Sequence, residues 1–231
     1  MITQNRHYLH SLILVVVLVL LPACGADEGS NTADTTSNEI TDNTPARTIV
    51  AMGDSLTEGL GVDESQAYPA LLEQKLKVDG YNFNVLNAGV SGETSSGALS
   101  RVAWILNLEP DIVILETGAN DGLRGIDPEL TRDNINKIVT LFQTEGITVV
   151  LAGMEMMENL GQDYTTAFEA LYPDIAAEQD LILIPFFLEG VVADPALNQA
   201  DAVHPNEAGY EVIVDEIYPY IIEAIDRLNT D

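Results

Sequence analysis

Short apolar segments rich in β-branched residues recur along most of the chain and alternate with longer segments of mixed polarity. Five of them have the length of a strand, and most lack an alternating polar face. Continuous apolar runs of this length are typical of parallel strands that are covered on both sides. The predicted strands lie at 48–53, 83–89, 111–118, 147–153 and 181–187.

The segments between these runs have the length of helices. Pro128 and Pro205 stand near the start of two of them, where proline is well tolerated. This alternation predicts a three-layer α/β domain with a doubly wound, flavodoxin-like parallel sheet of five strands, and ligands bind such sheets at the carboxyl ends of the strands. The predicted helices lie at 68–79, 94–108, 128–145, 164–180 and 206–228.

The N-terminal part of the chain breaks this alternation. An apolar run of ten residues at 12–21 follows a basic segment and is too short to cross a bilayer, which takes about 20 residues. Such a run is typical of a secretory signal peptide, and it ends in the motif Leu-Pro-Ala-Cys at 21–24. The motif resembles a bacterial lipobox, in which the cysteine becomes the lipidated first residue of the mature protein. An ordinary cleaved signal peptide with an incidental cysteine is the alternative.

Cys24 is the only cysteine of the chain, so no disulfide can form within it. We expect residues 1–23 to be removed as a lipoprotein signal peptide and Cys24 to carry the lipid. The leader predicts export to the periplasmic side. Gly25 follows the cysteine, which by analogy favours anchoring in the outer membrane. Residues 24–46 are polar and almost free of large apolar side chains, so they predict a flexible tether. Residues 47–231 predict the folded domain.

Acidic residues dominate the charge. The chain has 9 Lys and Arg residues against 37 Asp and Glu residues, a formal net charge of −28. Loss of residues 1–23 removes Arg6 and no acidic residue, so the mature chain carries −29. A surface of this charge repels nucleic acid and anionic lipid headgroups, so no nucleic-acid partner is expected. The simplest interpretation of the acidity is solubility or adaptation to saline surroundings.

Ser55 lies in the motif Gly-Asp-Ser-Leu at 53–56, directly after the first predicted strand. A serine hydroxyl becomes a nucleophile only with a base, a group that orients the base, and donors for the charge that develops. His204 is the only histidine left once residues 1–23 are removed, and Asp201 stands three residues before it. A short turn can bring that carboxylate to the imidazole Nδ1–H, so the three residues form a candidate catalytic set.

Candidate donors for an oxyanion follow the next two predicted strands. The loop 87–92 contains Gly89 and Gly92, whose backbone can approach a ligand closely. Asn120 follows the third strand and carries a side-chain amide. Both kinds of group stabilise an oxyanion, although an ordinary turn is the alternative for Asn120 and its neighbours.

Four short blocks resemble the GDSL or SGNH hydrolase family: GDSL at 53–56, NAGVSGET at 87–94, GAND at 118–121 and DAVHP at 201–205. They occur in the order and spacing of that family across almost all of 47–228. The longer strings GANDGLRG, LYPDIA and LIPFF are similar to its bacterial branch of TesA-like arylesterases, acyl thioesterases and lysophospholipases. Ser55 does not stand in the Gly-X-Ser-X-Gly elbow of the α/β-hydrolase fold, so that fold is not expected.

The resemblance implies that Ser55 is the nucleophile, His204 the base and Asp201 its orienting partner. It implies a serine esterase that hydrolyses short- to medium-chain acyl esters through an acyl-enzyme, with thioesters and lysophospholipids as further family substrates. This chemistry needs no metal and no cofactor.

The resemblance also implies an oxyanion hole within the SGNH hydrolase fold. Its donors are the backbone N–H groups of Ser55 and Gly92 and the side-chain amide of Asn120. Gly89 is the fallback for Gly92, since the choice follows only the position of the SGET segment in the family.

Methionines follow the fourth predicted strand. Met154, Met156 and Met157 could fill core or line an adaptable acyl groove, and Leu123 could add to its wall. Trp104 is expected in the core rather than at the substrate. The charge of −29 opposes the approach of a polyanionic acyl-CoA, so neutral small-molecule esters are the expected substrates. Separately, a monomer is favoured as the oligomeric state.

Two other functions stay open. A carbohydrate O-acetyl esterase would need a more polar site than the methionine-rich loop indicates. A non-catalytic, flavodoxin-like binding lipoprotein would need a loop that cradles phosphate after the first strand, where Asp54 and Glu58 would repel a phosphate.

Overall fold

The computed structural model describes residues 46–156 and 160–230. The predicted leader, the lipidation site Cys24, nearly all of the predicted tether and Met157 lie outside the described residues, so what the sequence indicates for them stays a prediction. The first strand begins at Arg47.

Five parallel strands form one sheet in the order β2-β1-β3-β4-β5, which confirms the predicted doubly wound α/β fold. The three inner strands are buried almost throughout, because each is mainly apolar and is covered by helices. The edge strand β2 instead alternates between buried and exposed positions over part of its length. The strands are β1 Arg47–Gly53, β2 Phe83–Gly89, β3 Ile112–Glu116, β4 Thr148–Ala152 and β5 Ile182–Ile184.

Helices separate successive strands. The α-helices in the described residues are α1 Ser55–Glu58, α2 Tyr68–Val78, α3 Ser95–Ser100, α4 Val102–Leu106, α5 Ala119–Leu123, α6 Pro128–Thr144, α7 Gln162–Gln179 and α8 Glu207–Leu228. Helices α2 and α8 contact each other, whereas α3 and α7 contact α6, so the sheet lies between two helical layers. None of these helices is both long and apolar enough to cross a bilayer.

Most elements lie within two residues of their predicted bounds, and two differ more substantially. The strand predicted at 181–187 ends at Ile184, because Pro185 has no N–H with which to continue the ladder. The helix predicted at 94–108 is divided at Arg101 into α3 and α4, and its first half contains Gly97 and three serines, which are weaker helix formers than alanine. The short helices α1 and α5 are not predicted by the apolar pattern.

The prediction that Trp104 is a core residue is wrong, since it is 51% exposed. In α4 the buried residues are Val102 and Ile105, which stand three positions apart and therefore share one face of the helix. Trp104 falls off that face and lies in a surface groove with Leu86 and Leu108 beside the edge strand.

Candidate active site

The turn after β1 carries Ser55 to the carboxyl end of the sheet. β1 ends at Gly53, and Asp54 caps helix α1 by accepting a 3.0 Å hydrogen bond from the helix backbone through Oδ1. Ser55 is the first residue of that helix and is 9% exposed. A β-carbon on Gly53 would overlap Thr57 Oγ1 and Glu116 Oε2, so the turn requires glycine at this position.

His204 lies between Ser55 and Asp201. Its Nε2 is 2.8 Å from Ser55 Oγ, and its Nδ1 is 2.8 Å from Asp201 Oδ2. Asp201 Oδ1 accepts the backbone N–H groups of Val203 and His204, both at 3.0 Å. These backbone bonds, together with the bond to the imidazole, lower the pKa of Asp201 to about 2, so the carboxylate is ionised at neutral pH. The structure thus brings the three predicted residues into one hydrogen-bonded row.

The loop that carries Asp201 and His204 is fixed by Gln199. The backbone N–H of Gln199 donates to His204 O at 2.8 Å, and its side-chain amide donates to Leu60 O at 2.6 Å. Between the two predicted residues, Ala202 adopts a φ of 57°, a left-handed conformation that costs about 1–2 kcal/mol. This turn places two successive N–H groups under the Asp201 carboxylate.

The three predicted oxyanion donors, Ser55, Gly92 and Asn120, line one cavity. The Ser55 N–H stands at the start of α1, where a helix offers no internal acceptor. Within residues 46–156 and 160–230 the Gly92 N–H has no hydrogen-bond partner. Asn120 Nδ2 donates to Asp54 Oδ2 at 2.8 Å, which leaves the second N–H of the amide for a ligand.

Gly89 has a different part in the structure. Its N–H donates to Asn87 Oδ1 at 2.9 Å, so this group is already used. A β-carbon on Gly89 would overlap the backbone of Glu58. The geometry therefore favours Gly92 over Gly89 as an oxyanion donor.

Arg101 connects the loop after β2 to the nucleophile turn. Its Nη2 lies 2.6 Å from Glu93 Oε2 and also donates to Gly53 O at 3.2 Å. On the other side of this loop, Asp121 in α5 accepts the backbone N–H and the hydroxyl of Ser95 at 2.7 and 2.6 Å. Sequence reasoning missed these supporting residues, because bonds between distant segments leave no periodic signal.

Two carboxyl groups lie beneath Ser55. Glu116, the last residue of β3, is fully buried, and its Oε2 accepts the Asp54 N–H at 3.0 Å and the Thr57 hydroxyl at 2.9 Å. Burial and the nearby charge of Asp54 raise the pKa of Glu116 well above its ordinary value. Burial also raises the pKa of Asp54, although its own hydrogen bonds oppose that shift. Sequence reasoning missed Glu116 too, and the available signal was a carboxyl residue inside an otherwise apolar strand.

A cavity of about 380 Å³ opens beside Ser55. Leu123, Met154 and Met156, predicted for an acyl groove, all line it. Within the described residues no group of three or more His, Cys, Asp or Glu side chains is arranged to hold a metal ion. Further apolar lining comes from loops without a periodic pattern, namely Leu60, Phe186, Leu188, Val192 and Val203.

Known proteins resemble this chain in both sequence and fold. Residues 51–212 match the model of the GDSL-like lipase/acylhydrolase family. The esterase TesA of Pseudomonas aeruginosa is 38% identical over 78% of this chain and 90% of its own length. The thioesterase 1/protease 1/lysophospholipase L1 of Escherichia coli K12 is 37% identical over 74% of this chain and 81% of its own length. The crystal structure of psychrotrophic esterase EstA from Pseudoalteromonas sp., inhibited by monoethylphosphonate, has a TM-score of 0.74 at 31% identity and covers 78% of this chain and 99% of that one.

Proposed function

Because the chain belongs to the GDSL-like lipase/acylhydrolase family, we propose that it is a serine esterase that hydrolyses short- to medium-chain acyl esters through Ser55, His204 and Asp201. Membership of a hydrolase family means that the non-catalytic alternative is not retained. The observation that carries the proposal is the row of two 2.8 Å contacts from Ser55 Oγ through the imidazole to Asp201.

The proposed reaction follows from the position of the imidazole. His204 Nε2 accepts the hydroxyl proton while Ser55 Oγ attacks the acyl carbon. The imidazolium that forms is stabilised by Asp201, and it returns the proton to the leaving oxygen as the ester bond breaks. Water then attacks the acyl-enzyme, with the same imidazole as the base, and releases the carboxylic acid and Ser55.

The carbonyl oxygen becomes an oxyanion in both steps. We assign its stabilisation to the N–H groups of Ser55 and Gly92 and to the amide of Asn120, which line the same cavity. Donors that are already in place need no reorganisation when the charge develops. The bond from Asn120 to Asp54 at 2.8 Å supports this role, because it limits rotation of the amide.

The substrate class is proposed from the cavity and the charge. Leu123, Met154 and Met156 offer an apolar wall for an acyl chain, and the flexible thioether side chains adapt to chains of different shape. The net charge of −28 in the full chain, or −29 after loss of residues 1–23, opposes anionic substrates. Neutral esters are therefore preferred over acyl-CoA, and thioesters and lysophospholipids are secondary candidates.

A panel of p-nitrophenyl esters from acetyl to palmitoyl, run beside acyl-CoA and acetylated sugars, tests this function. We expect the highest kcat/KM on short to medium neutral esters and no effect of EDTA. Ser55→Ala and His204→Ala should each lower kcat by more than about 10³-fold. Metal-dependent turnover, or preference for acetylated sugars, would contradict the proposed chemistry or the proposed substrate.

We also propose that the mature protein is held in a membrane by lipid on Cys24. The sequence that supports this is the lipobox-like motif at 21–24 and the apolar run at 12–21, which is shorter than a bilayer span of about 20 residues. Cys24→Ser should release the protein from the membrane fraction and leave esterase activity intact. If the variant still sediments with membranes, Cys24 is not the anchor.

A further inference from the structure

Glu116 is a buried carboxyl residue that the proposed reaction does not use. It ends the central strand β3 next to β1, and its side chain has no exposed surface. Carboxyl groups are rarely buried unless paired. Among the described residues no cationic side chain forms an ion pair with Glu116. Its presence in an apolar strand therefore requires another reason.

The contacts of Glu116 are concentrated on the nucleophile turn. Its Oε2 accepts two hydrogen bonds, from the Asp54 N–H at 3.0 Å and from the Thr57 hydroxyl at 2.9 Å. These donors flank Ser55 in sequence. The carboxyl also lies so close to Gly53 that any β-carbon there would overlap it. The first glycine of the motif thus makes room for the Glu116 side chain.

The same contacts extend to the oxyanion hole. Asp54 accepts the Asn120 amide at 2.8 Å through Oδ2, so a shift of Asp54 would also move Asn120. Glu116 fixes the backbone of Asp54 by accepting its N–H, and the Asp54 side chain in turn holds the Asn120 amide. The chain of contacts therefore runs from Glu116 through Asp54 to Asn120.

We propose that Glu116 is a positioning residue which, as a neutral carboxylic acid, holds the turn that carries Ser55 and, through Asp54, the amide of Asn120. This inference rests on the proposed esterase function. Burial and the adjacent charge of Asp54 raise the pKa of Glu116 well above its ordinary value. Its second oxygen, Oε1, is buried and has no partner among the described residues, so an ionised carboxylate would leave charge unsolvated there. Asp54 accepts one hydrogen bond on each of its two carboxyl oxygens, whereas both donors to Glu116 share Oε2, so Asp54 keeps the negative charge of the pair.

Two substitutions of similar size separate this role from simple packing. Glu116→Gln keeps an oxygen that can accept both hydrogen bonds, and Glu116→Leu removes the acceptors. We expect Glu116→Gln to retain kcat within about threefold of the wild type, and Glu116→Leu to lower kcat about 10²-fold with little change in KM. Thr165→Val is the matched control. It removes a buried hydroxyl that donates to Gly161 O at 3.1 Å in helix α7, which is distant from Glu116 in sequence. It should leave kcat unchanged.

Stability against pH gives a second readout of the neutral form. A carboxyl group whose pKa is raised on folding stabilises the folded state below its ordinary pKa and loses that contribution as pH rises. Glu116→Gln cannot ionise, so its Tm should rise relative to that of the wild type as the pH increases above about 4.3, the ordinary pKa of a glutamate side chain. The other titratable or charged groups that act on Glu116 or Asp54 are the buried phenols of Tyr68, Tyr172 and Tyr210, with pKa values raised by burial, the imidazole of His204, and Arg101 through Gly53.

The results that would overturn the inference are distinct from those that would support it. Wild-type kcat in Glu116→Leu, a Glu116→Gln variant as slow as Glu116→Leu, or a Tm difference that does not change with pH overturns the inference. If Glu116→Leu does not fold, Thr57→Val is measured in its place, because this variant removes one of the two donors to Glu116. The kcat of Thr57→Val should fall about tenfold, whereas the kcat of Glu116→Gln is retained. If the wild type itself hydrolyses no ester, the proposed function fails instead, so the two failures are distinguishable.

Discussion

Removal of the Asn120 amide should slow hydrolysis far more than it destabilises the protein. Asn120→Ala removes one proposed oxyanion donor, and loss of such a donor lowers kcat by about 10²–10³, which is about 2.7–4 kcal/mol of transition-state stabilisation. KM should change little, because the donor acts on charge that is absent from the bound ester. The same change removes the 2.8 Å bond to Asp54, which contributes about 1.5–3 kcal/mol to folding as a bond to a charged group.

Asn134→Ala is the matched control for that loss of stability. The Asn134 amide donates to Ser95 Oγ at 3.0 Å and to Ser96 Oγ at 2.9 Å, and two such neutral bonds contribute about 1–3 kcal/mol in total. Both variants should therefore lower the Tm by several degrees, at about 2–4 °C per kcal/mol for a domain of this size. Only Asn120→Ala should lose catalysis.

The assay is steady-state hydrolysis of one neutral p-nitrophenyl ester, with the Tm measured on the same samples. If Asn120→Ala retains kcat within tenfold of the wild type, Asn120 does not donate to the oxyanion. If Asn134→Ala slows the reaction as much as Asn120→Ala, the loss reflects a distorted site and not the removal of a single oxyanion donor.

Three further expectations follow from charge and packing. Asp201→Asn should retain more kcat than His204→Ala. Because the pKa of Asp201 is lowered to about 2, its carboxylate should stabilise the fold at pH values above its ordinary pKa. A series of urea-unfolding measurements should show this contribution being lost only as the pH falls toward about 2. Gly53→Ala should lower stability by about 1–3 kcal/mol through overlap with Thr57 and Glu116, and lower kcat as well, which denaturation and kinetics on one sample would check. Raising NaCl from about 0.01 M to about 1 M shortens the Debye length from about 30 Å to about 3 Å. The kcat/KM should therefore rise for an acyl-CoA and stay unchanged for a neutral ester. A fall in kcat/KM for the acyl-CoA would indicate that the entrance of the cavity is locally positive.

The sheet could be predicted from sequence because local pattern and burial agree. Each inner strand is mainly apolar, and the structure buries it between helical layers. The family could be recognised because its blocks are short and contiguous, such as Gly53 to Leu56 around the nucleophile. The structure also brings Ser55, Asp201 and His204 together, although their catalytic roles stay predictions.

Other features depend on contacts between distant segments and leave no such pattern. Trp104 stands in an apolar helix, yet only Val102 and Ile105 of that helix are buried. The walls of the cavity include Val192 and Val203, whose loops have no periodicity. In the sequence, Glu116 only interrupts an apolar strand. The structure shows that Gly53, which lacks a β-carbon, leaves space for the Glu116 side chain.

The most direct test of the central claim is to identify the residue that a fluorophosphonate modifies. The full chain would be labelled and mapped by peptide mass spectrometry, with His204→Ala as the comparison. We predict one adduct, on Ser55, because its Oγ is the one held 2.8 Å from the imidazole, and we predict that His204→Ala labels far more slowly. Labelling on Ser91 or on Ser95, whose hydroxyl instead donates to Asp121 at 2.6 Å, or labelling that does not depend on His204, would contradict the account.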